Sequence, residues 1–322
     1  MSSKQNILTP KRGKDVDMTT GNITRHIISF ALPLLIGNIF QQLYNTVDTW
    51  VVGKFVSNEA YAAVGTVGPI INMLIGFFMG LSSGAGVVIS QYYGAKRFAE
   101  VEKTVHTAIA MTLILGIAFT GLGLFMTPYM LTLMKTPENV LPLSAKYMRI
   151  YFCGMIFTMV YNFCASILRA AGDTKSPLIF LTLSGILNVG LNIFFVLYLH
   201  MTVDGVALAT VISQAVSALL TVICLIRETG PCKLELSKLH IEKKSLLRVL
   251  RIGLPAGIQS VTYALSNLII QASINDFGTD VNGNRIQLTI ESIRDFFFDI
   301  MSGKIEPRQM SGEFDIAKIK NM

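Results

Sequence analysis

Residues 31–55 read ALPLLIGNIFQQLYNTVDTWVVGKF, and this stretch decides the fold. It lies in an apolar run, 27–52, that is about as long as a helix needs to cross the hydrocarbon core of a bilayer. The run is interrupted by four polar side chains, Asn38, Gln41, Asn45 and Asp48. The stretch therefore predicts a transmembrane helix with polar groups inside it.

Six further apolar runs follow, and we predict that each crosses the membrane. They cover residues 61–92, 105–127, 146–168, 177–199, 206–226 and 250–274. The chain is 52% hydrophobic and only 15% charged, against about 25% charged residues in soluble domains. A soluble core does not explain so many long runs. Lipid leaves helices or closed barrels as spanning structures, and barrel strands are about ten residues long and alternate in polarity. We therefore expect an all-α integral membrane protein.

The seventh run repeats the first. Residues 253–277 read GLPAGIQSVTYALSNLIIQASINDF, and with a shift of 222 residues six of 25 positions match the stretch quoted above. The shared residues include Pro33 with Pro255, and Asn45 with Asn267. This repeat predicts that the seventh helix begins a second half of the molecule. Each proline is expected to bend its helix, because proline removes a backbone hydrogen bond.

Five segments follow from this organisation. They are a cytoplasmic arm at 1–26, a six-helix bundle at 27–226, a cytoplasmic linker at 227–249, the seventh helix at 250–275 and a polar tail at 276–322. With the N-terminus inside, the inner segments up to residue 274 hold seventeen Lys and Arg residues and the outer ones four. This asymmetry predicts a multi-pass protein of the cell membrane with a cytoplasmic N-terminus. Because the positive charge lies in short loops, it does not predict a nucleic-acid partner.

Polar residues recur at helical spacing in three spans, so each set lies on one helix face. Asn38, Gln41, Asn45 and Asp48 share the first span; Ser184, Asn188 and Asn192 the fifth; Gln259, Tyr263, Asn267 and Gln271 the seventh. A charged side chain inside a membrane costs at least roughly 2.5–3.5 kcal/mol. We interpret the three stripes as the lining of a solvated cavity with Asp48 as its fixed charge. The alternatives are polar contacts between helices and, for Asp48, a position at the membrane interface.

No enzyme is predicted. The sequence has no GxxxxGK phosphate-binding loop, and its four cysteines and four histidines show no metal-ligand or catalytic spacing. We therefore expect no cofactor and no metal site beyond a coupling ion, H⁺ or Na⁺. Gly76, Gly80 and Gly84 are spaced by four in the second span, a pattern typical of close helix packing.

Several ordered motifs resemble the MATE family, the multidrug and toxic compound extrusion antiporters, over about residues 18–278. They are Leu32-Pro33 with Asp48 and Gly53, the QYYGA motif at 91–95, LRAAGDTKSP at 168–177, GVALAT at 205–210 with Gln214, and GLPAG at 253–257. The resemblance implies twelve helices in two six-helix bundles. It also implies export of small organic, often cationic, compounds in exchange for H⁺ or Na⁺, with no obligate protein partner.

The resemblance also implies an ion site at Asp48, Asn188 and Thr210. Asp48 and Asn188 are the possible ligands of Na⁺ in this site. We include Asn192, Asn45 and Gln41 among the expected ion- or substrate-binding residues. Asn192 stands where the family has a second carboxylate, so one negative charge is missing. This difference favours protonation of Asp48 over Na⁺ binding.

The sequence departs from the family after the seventh helix. Helices eight to twelve are not recognisable, and the tail at 276–322 looks foreign to the family. We therefore expect a truncated copy with impaired transport. Two alternatives stay open: an inactive membrane fragment, and a lipid-linked oligosaccharide flippase of the same superfamily. The polar stripes contain no Lys or Arg for a lipid phosphate, which argues against the flippase.

Overall fold

A computed structural model describes most of the chain between residues 31 and 277. The described positions are 31–32, 35–37, 39, 41, 46–48, 50–133, 136, 138 and 140–277, and the side chains of 58, 133 and 267–277 are left aside. The regular structure of these positions is helical. The arm at 1–26, Pro33, Asn38, Asn45 and the tail from residue 278 lie outside the described residues. The chain divides into one compact unit over 1–265 and a second over 266–322, in which the described residues, 266–277, are helical.

The helices follow the predicted spans but are longer. The first, α1, is helical at the described residues between 31 and 55. The others are α2 (Asn58–Gly94), α3 (Phe98–Leu133), α4 (Leu141–Ala170), α5 (Lys175–Ile193), a π-helical turn (Phe194–Tyr198), α6 (Val203–Arg227), a 3₁₀ turn (Leu236–Lys238) and α7 (Lys243–Phe277). The extension is largest at α3, which starts seven residues before the predicted third span and ends six residues after it. Polar residues at these ends continue the backbone hydrogen bonding of the helix into the aqueous boundary.

Five described helices, α2 to α6, are long and apolar enough to cross a membrane, α5 together with its π-helical turn. The first predicted span includes positions outside the described residues, and the side chains at the end of the seventh are not described, so both stay predictions as membrane spans. The all-helical fold class is confirmed for the described part of the chain.

Local sequence explains where two of the helices begin. The Ser57 hydroxyl accepts a hydrogen bond from the Ala60 amide and caps the N-terminus of α2. The Asp173 carboxylate accepts from the amides of Lys175 and Ser176 and caps α5 in the same way. Gly172 precedes it with φ of 95°, a left-handed conformation that favours glycine. A tight turn therefore joins α4 to α5.

The core has two main parts, and α4 runs through both. One part collects buried side chains of α1 to α4 and α6, including Val51, Phe78 and Met155. The other joins α2, α3, α4 and α6 to the linker through residues such as Phe163 and Leu234. The linker is therefore packed against the bundle and is not a free tether.

Helices α2 and α7 pack through small residues. A Cβ atom added to Gly84 would lie 2.5 Å from the Cα atom of Gly253, and one added to Gly80 would lie 2.6 Å from the carbonyl carbon of Ala256. Carbon atoms in contact normally lie 3.5–4.0 Å apart. The glycine series of the second span therefore serves close helix packing, as predicted, and its partner is α7.

A further contact holds the linker and the start of α7 against α3. Glu242 donates its amide to the Thr107 hydroxyl (3.1 Å), and its carboxylate accepts from Lys103 (3.2 Å) and Ser245 (2.6 Å). Lys238 forms an ion pair with Glu102 at 3.0 Å. We call this group of contacts the α3–linker clasp.

Candidate functional site

Asp48 lies on α1 within the bundle and is only 6% exposed. Its neighbours along the helix, Val51 and Val52, are buried in the hydrophobic core. This anchoring holds the carboxylate inside the protein, where it meets α5 and α6. The carboxylate is therefore buried within the protein, and its depth in the membrane stays a prediction.

Two side chains from different helices donate hydrogen bonds to Asp48. Asn192 of α5 donates its amide to Oδ1, and Thr210 of α6 lies with its hydroxyl 3.3 Å from Oδ2. Thr210 also lies 3.0 Å from the Val206 carbonyl oxygen, so its single proton is shared between two acceptors. The carboxylate is thus held by one firm donor and one shared donor.

Asn188 completes the cluster one helical turn before Asn192. Its Nδ2 donates to the Thr210 hydroxyl at 3.3 Å, and its Oδ1 accepts from Asn192 at 3.2 Å. We call Asp48, Asn188, Asn192 and Thr210 the Asp48 cluster. All four are buried, with exposures from 0% to 6%.

One acceptor in the cluster is unmatched. Asn192 Oδ1 is buried and accepts no hydrogen bond from the described residues. A buried polar atom of this kind costs about 1–3 kcal/mol. It lies on the side chain that contacts the Asp48 carboxylate. A proton or a small cation bound at Asp48 would give this oxygen a partner.

The backbone is irregular directly after the cluster. The π-helical turn Phe194–Tyr198 starts two residues after Asn192. Such turns are rare and often occur at functional sites. The sequence contains no signal from which we could have predicted this turn.

A narrow polar recess adjoins the cluster between α5 and α6. It is lined by Ser184, Gly185, Asn188, Thr210, Ser213 and Gln214. Ser184 and Asn188 belong to the predicted stripe of the fifth span. Ser213 was not predicted as a site residue, although it lies one turn of α6 after Thr210 and shares its polar face.

The Asp48 carboxylate is held by polar groups and not by an opposite charge. Among the described residues, no Lys or Arg forms an ion pair with Asp48. Carboxylate, amide and hydroxyl oxygens surround the position, and hard cations prefer such ligands. The arrangement is therefore suited to hold a proton or a small cation.

The other predicted site residues do not join the described hydrogen bonds of the cluster. Gln41 is half-buried on α1, and Asn45 and Pro33 lie outside the described residues. Pro255 lies inside α7, and its bending role stays a prediction. On the same helix Gln259 and Tyr263 are exposed, while the side chains of Asn267 and Gln271 are not described.

The fold and this buried polar cluster define a multi-pass helical membrane protein of the transporter class. Residues 33–194, half of the chain, match the MatE family. The chain belongs to that family, the MATE transporters, which confirms the resemblance seen in the sequence.

The comparisons cover most of this chain but only part of its relatives. YoeA of Bacillus subtilis (strain 168), a "Probable multidrug resistance protein", is 31% identical over 87% of this chain and 60% of its own length. A MATE protein solved in complex with MaD3S is 26% identical with a TM-score of 0.74, covering 83% of this chain and 59% of that one. A MOP superfamily transporter from Pyrococcus furiosus matches at 24% identity and a TM-score of 0.78, over 90% and 64% of the two chains. The chain thus spans about 60% of the length of these relatives.

Proposed function

We propose that this chain supplies one bundle of a cation-coupled exporter of small organic cations, and that Asp48 binds the coupling ion. The observation that carries the proposal is the buried Asp48 cluster, in which, within the described part of the chain, the carboxylate has no basic partner and the Asn192 amide oxygen is unmatched. The description of YoeA as a probable multidrug resistance protein supports organic compounds as the substrates. A cytoplasmic N-terminus is part of the proposal, since the basic residues favour it.

The proton is the coupling ion that the cluster favours. A protonated Asp48 can donate to Asn192 Oδ1 once the amide turns, which pairs the unmatched oxygen and removes the buried charge. Sodium could use the carboxylate, amide and hydroxyl oxygens of the cluster, but only one of these groups carries a negative charge, because position 192 is an amide. Sodium is therefore the second choice.

Coupling follows from the charge of Asp48. When the carboxylate is ionised, it attracts an organic cation and the donors of Asn192 and Thr210. When it binds a proton, that attraction is lost and the α1 contacts to α5 and α6 change. We propose that this difference acts on the helix bend that the sequence predicts at Pro33. Linkage requires the effect to be reciprocal, so bound substrate must also change the affinity for the ion.

Transport in this proposal needs two bundles that move about a central cavity. The described residues contain one bundle and α7, and about two fifths of the length of YoeA lies outside its match to this chain. We therefore propose that the 322-residue chain transports little by itself. An inactive membrane fragment is the second candidate, and the same length difference favours it.

The test is efflux of a fluorescent organic cation from proteoliposomes with an imposed proton gradient. The active arm joins residues 1–277 to the last five helices of YoeA, and the 322-residue chain is measured beside it. We expect efflux in the joined molecule and its loss in Asp48→Asn. Asp204→Asn is the control, because Asp204 pairs with Lys146 away from the cluster. Efflux that survives Asp48→Asn would refute the role of Asp48.

A further inference from the structure

Two arginines from separate segments meet at one tyrosine ring. Tyr92 lies in the last turn of α2 and is buried, while Arg97 follows α2 and Arg248 lies on α7. The guanidinium carbons lie 5.1 Å and 5.3 Å from the ring centroid. Arg248 also donates a hydrogen bond to the Tyr92 hydroxyl. Both guanidinium groups therefore lie beside the Tyr92 ring at the end of α2.

Acidic side chains balance only part of the positive charge at this point. Arg97 forms an ion pair with Glu100 at 2.6 Å. Within the described residues, Arg248 and Arg251 of α7 have no carboxylate oxygen within ion-pair distance. Lys244 precedes Arg248 by four residues, so Lys244, Arg248 and Arg251 lie along one side of α7. All three are exposed.

Exposed apolar side chains lie beside and beyond these basic residues on α7. Leu247, Leu254 and Ile258 have exposures of 56%, 38% and 59%. Together with Arg251 they have the spacings four, three and four, so they form one strip. A basic group followed by an exposed apolar strip is the pattern of a membrane boundary, where headgroups meet the cations and acyl chains meet the leucines.

We propose that Arg97 and Arg248, with Lys244 and Arg251 beside them, bind the phosphate of an anionic phospholipid, whose acyl chains lie along the apolar strip of α7. We call this the Tyr92 lipid site. A guanidinium group presents two parallel N–H donors to phosphate, and its planar face can stay on an aromatic ring while its edge binds the anion. The Tyr92 ring thus positions the donors.

The location gives the lipid a structural consequence. Arg97 follows α2 and Arg248 belongs to α7, so one phosphate bound to both links the two helices. The close glycine contact joins Gly84, eight residues before Tyr92 on α2, to Gly253, five residues after Arg248 on α7. Bound lipid is therefore expected to strengthen the packing of α7 on α2. This inference rests on the membrane location of the family and not on the proposed transport.

The test is native mass spectrometry of the full chain in detergent, titrated with phosphatidylglycerol and, separately, with phosphatidylcholine. We expect the first phosphatidylglycerol to bind more tightly than phosphatidylcholine. Arg248→Gln should weaken it about fivefold, because one cation near an anionic lipid contributes about 1 kcal/mol. Arg248→Lys should reduce the affinity for phosphatidylglycerol less than Arg248→Gln does, because lysine keeps the positive charge but lacks the two parallel N–H donors.

The control variant is Lys238→Gln, which also removes one positive charge. Lys238 lies in the linker and already pairs with Glu102 and Glu235. Its phosphatidylglycerol affinity should stay close to that of the wild type. An equal loss in Lys238→Gln and Arg248→Gln would refute the site, because the attraction would then depend on net charge alone. Unchanged binding in Arg248→Gln would also refute it.

A competition experiment distinguishes a bound lipid from a bound inorganic anion. Excess inorganic phosphate should not displace phosphatidylglycerol if the acyl chains contribute through the strip of α7. Displacement would refute a lipid as the occupant. Leu254→Gln supplies the matching variant, since it leaves the charges in place and should weaken phosphatidylglycerol binding. The proportion of folded protein is checked for each variant by size-exclusion chromatography after heating.

Discussion

Two helix contacts in this bundle are built in opposite ways. Helices α2 and α7 meet through glycines, Gly80 and Gly84, whose backbones lie against the backbone of α7. Helices α1, α5 and α6 meet through the Asp48 cluster, whose members are held by hydrogen bonds. The hydrophobic effect does not drive helices to associate within a lipid bilayer, so close packing and polar contacts stabilise the association. The molecule uses each solution at a different interface.

The difference determines which contact can respond to a ligand. The glycine contact has no group that changes charge, and its atoms cannot separate without loss of packing. The Asp48 cluster has an ionisable group, a shared hydroxyl proton at Thr210 and an unmatched oxygen at Asn192. It can therefore exist in two bonding patterns with similar packing. Variants at the two contacts should separate a purely structural interface from a responsive one.

The largest effect is expected at the glycine contact. Gly80→Ala places a methyl group 2.6 Å from the carbonyl carbon of Ala256, which is backbone and cannot turn away. Overpacking of this kind costs about 1–3 kcal/mol. Gly68→Ala on the same helix meets nothing within 4 Å and should stabilise the helix slightly. Unfolding in detergent measures both, and equal stability of the two variants would contradict the close contact of α2 and α7.

The next effect is expected at Asp48. Asp48→Ala removes one of the two acceptors of the Asn192 amide, at a cost of about 1–3 kcal/mol in the free energy of unfolding. Asp48→Asn keeps one oxygen and can donate to Asn192 Oδ1, so it should retain more stability than Asp48→Ala. The comparison is made by thermal unfolding in detergent. If Asp48→Ala is as stable as Asp48→Asn, the hydrogen bonds of the cluster contribute nothing.

A second carboxylate should change the response of the cluster to ions. Asn192→Asp places two acidic groups together, so a cation is needed to balance them. We expect Na⁺, at a few times its dissociation constant, to stabilise this variant by about 1 kcal/mol. The wild type should respond equally to NaCl and KCl. A sodium-specific stabilisation of the wild type would instead show that one carboxylate suffices.

The smallest effect is expected in the α3–linker clasp. The Ser245 hydroxyl, and then the Lys103 ammonium, lower the pKa of Glu242 below its usual 4.5. A lowered pKa stabilises the folded protein at every pH above the unfolded-state pKa. This contribution is lost as the pH falls through the folded-state pKa. We expect less than about 1 kcal/mol, as for other exposed pairs.

The clasp is tested by unfolding the wild type and Glu242→Gln between neutral pH and about pH 3, below the usual glutamate pKa. The wild type should be more stable at neutral pH, and the two should converge in acid. A constant difference across this range would mean that the charge of Glu242 does not contribute.

Much of the fold could be predicted from local patterns. The apolar runs predicted five of the membrane helices, α2 to α6, because helix length and hydropathy depend only on neighbours in the chain. The helix ends could not be predicted in this way. Helix α7 starts at Lys243 because contacts of Glu242 with α3 hold its first turn. The π-helical turn after α5 has no local signal either.

The site was predicted in part. Helical spacing put Asn188 and Asn192 on one face, and the family resemblance added Asp48 and Thr210. Spacing did not reveal that Asn192 contacts Asp48 directly, or that Ser213 lines the recess beside them. These contacts join helices that are far apart in the chain.

The sequence alone determined that this is a helical membrane protein of the MATE family, which residues carry polar groups within the spans, and where small residues allow close packing. Hydropathy and helical period are local properties, and they can be read along the chain. Only the tertiary structure decided that Gly84 faces Gly253, that Asp48 meets Asn192 and Thr210, and that two arginines share the ring of Tyr92. Such contacts depend on the rotation and crossing of whole helices, which many side chains set together.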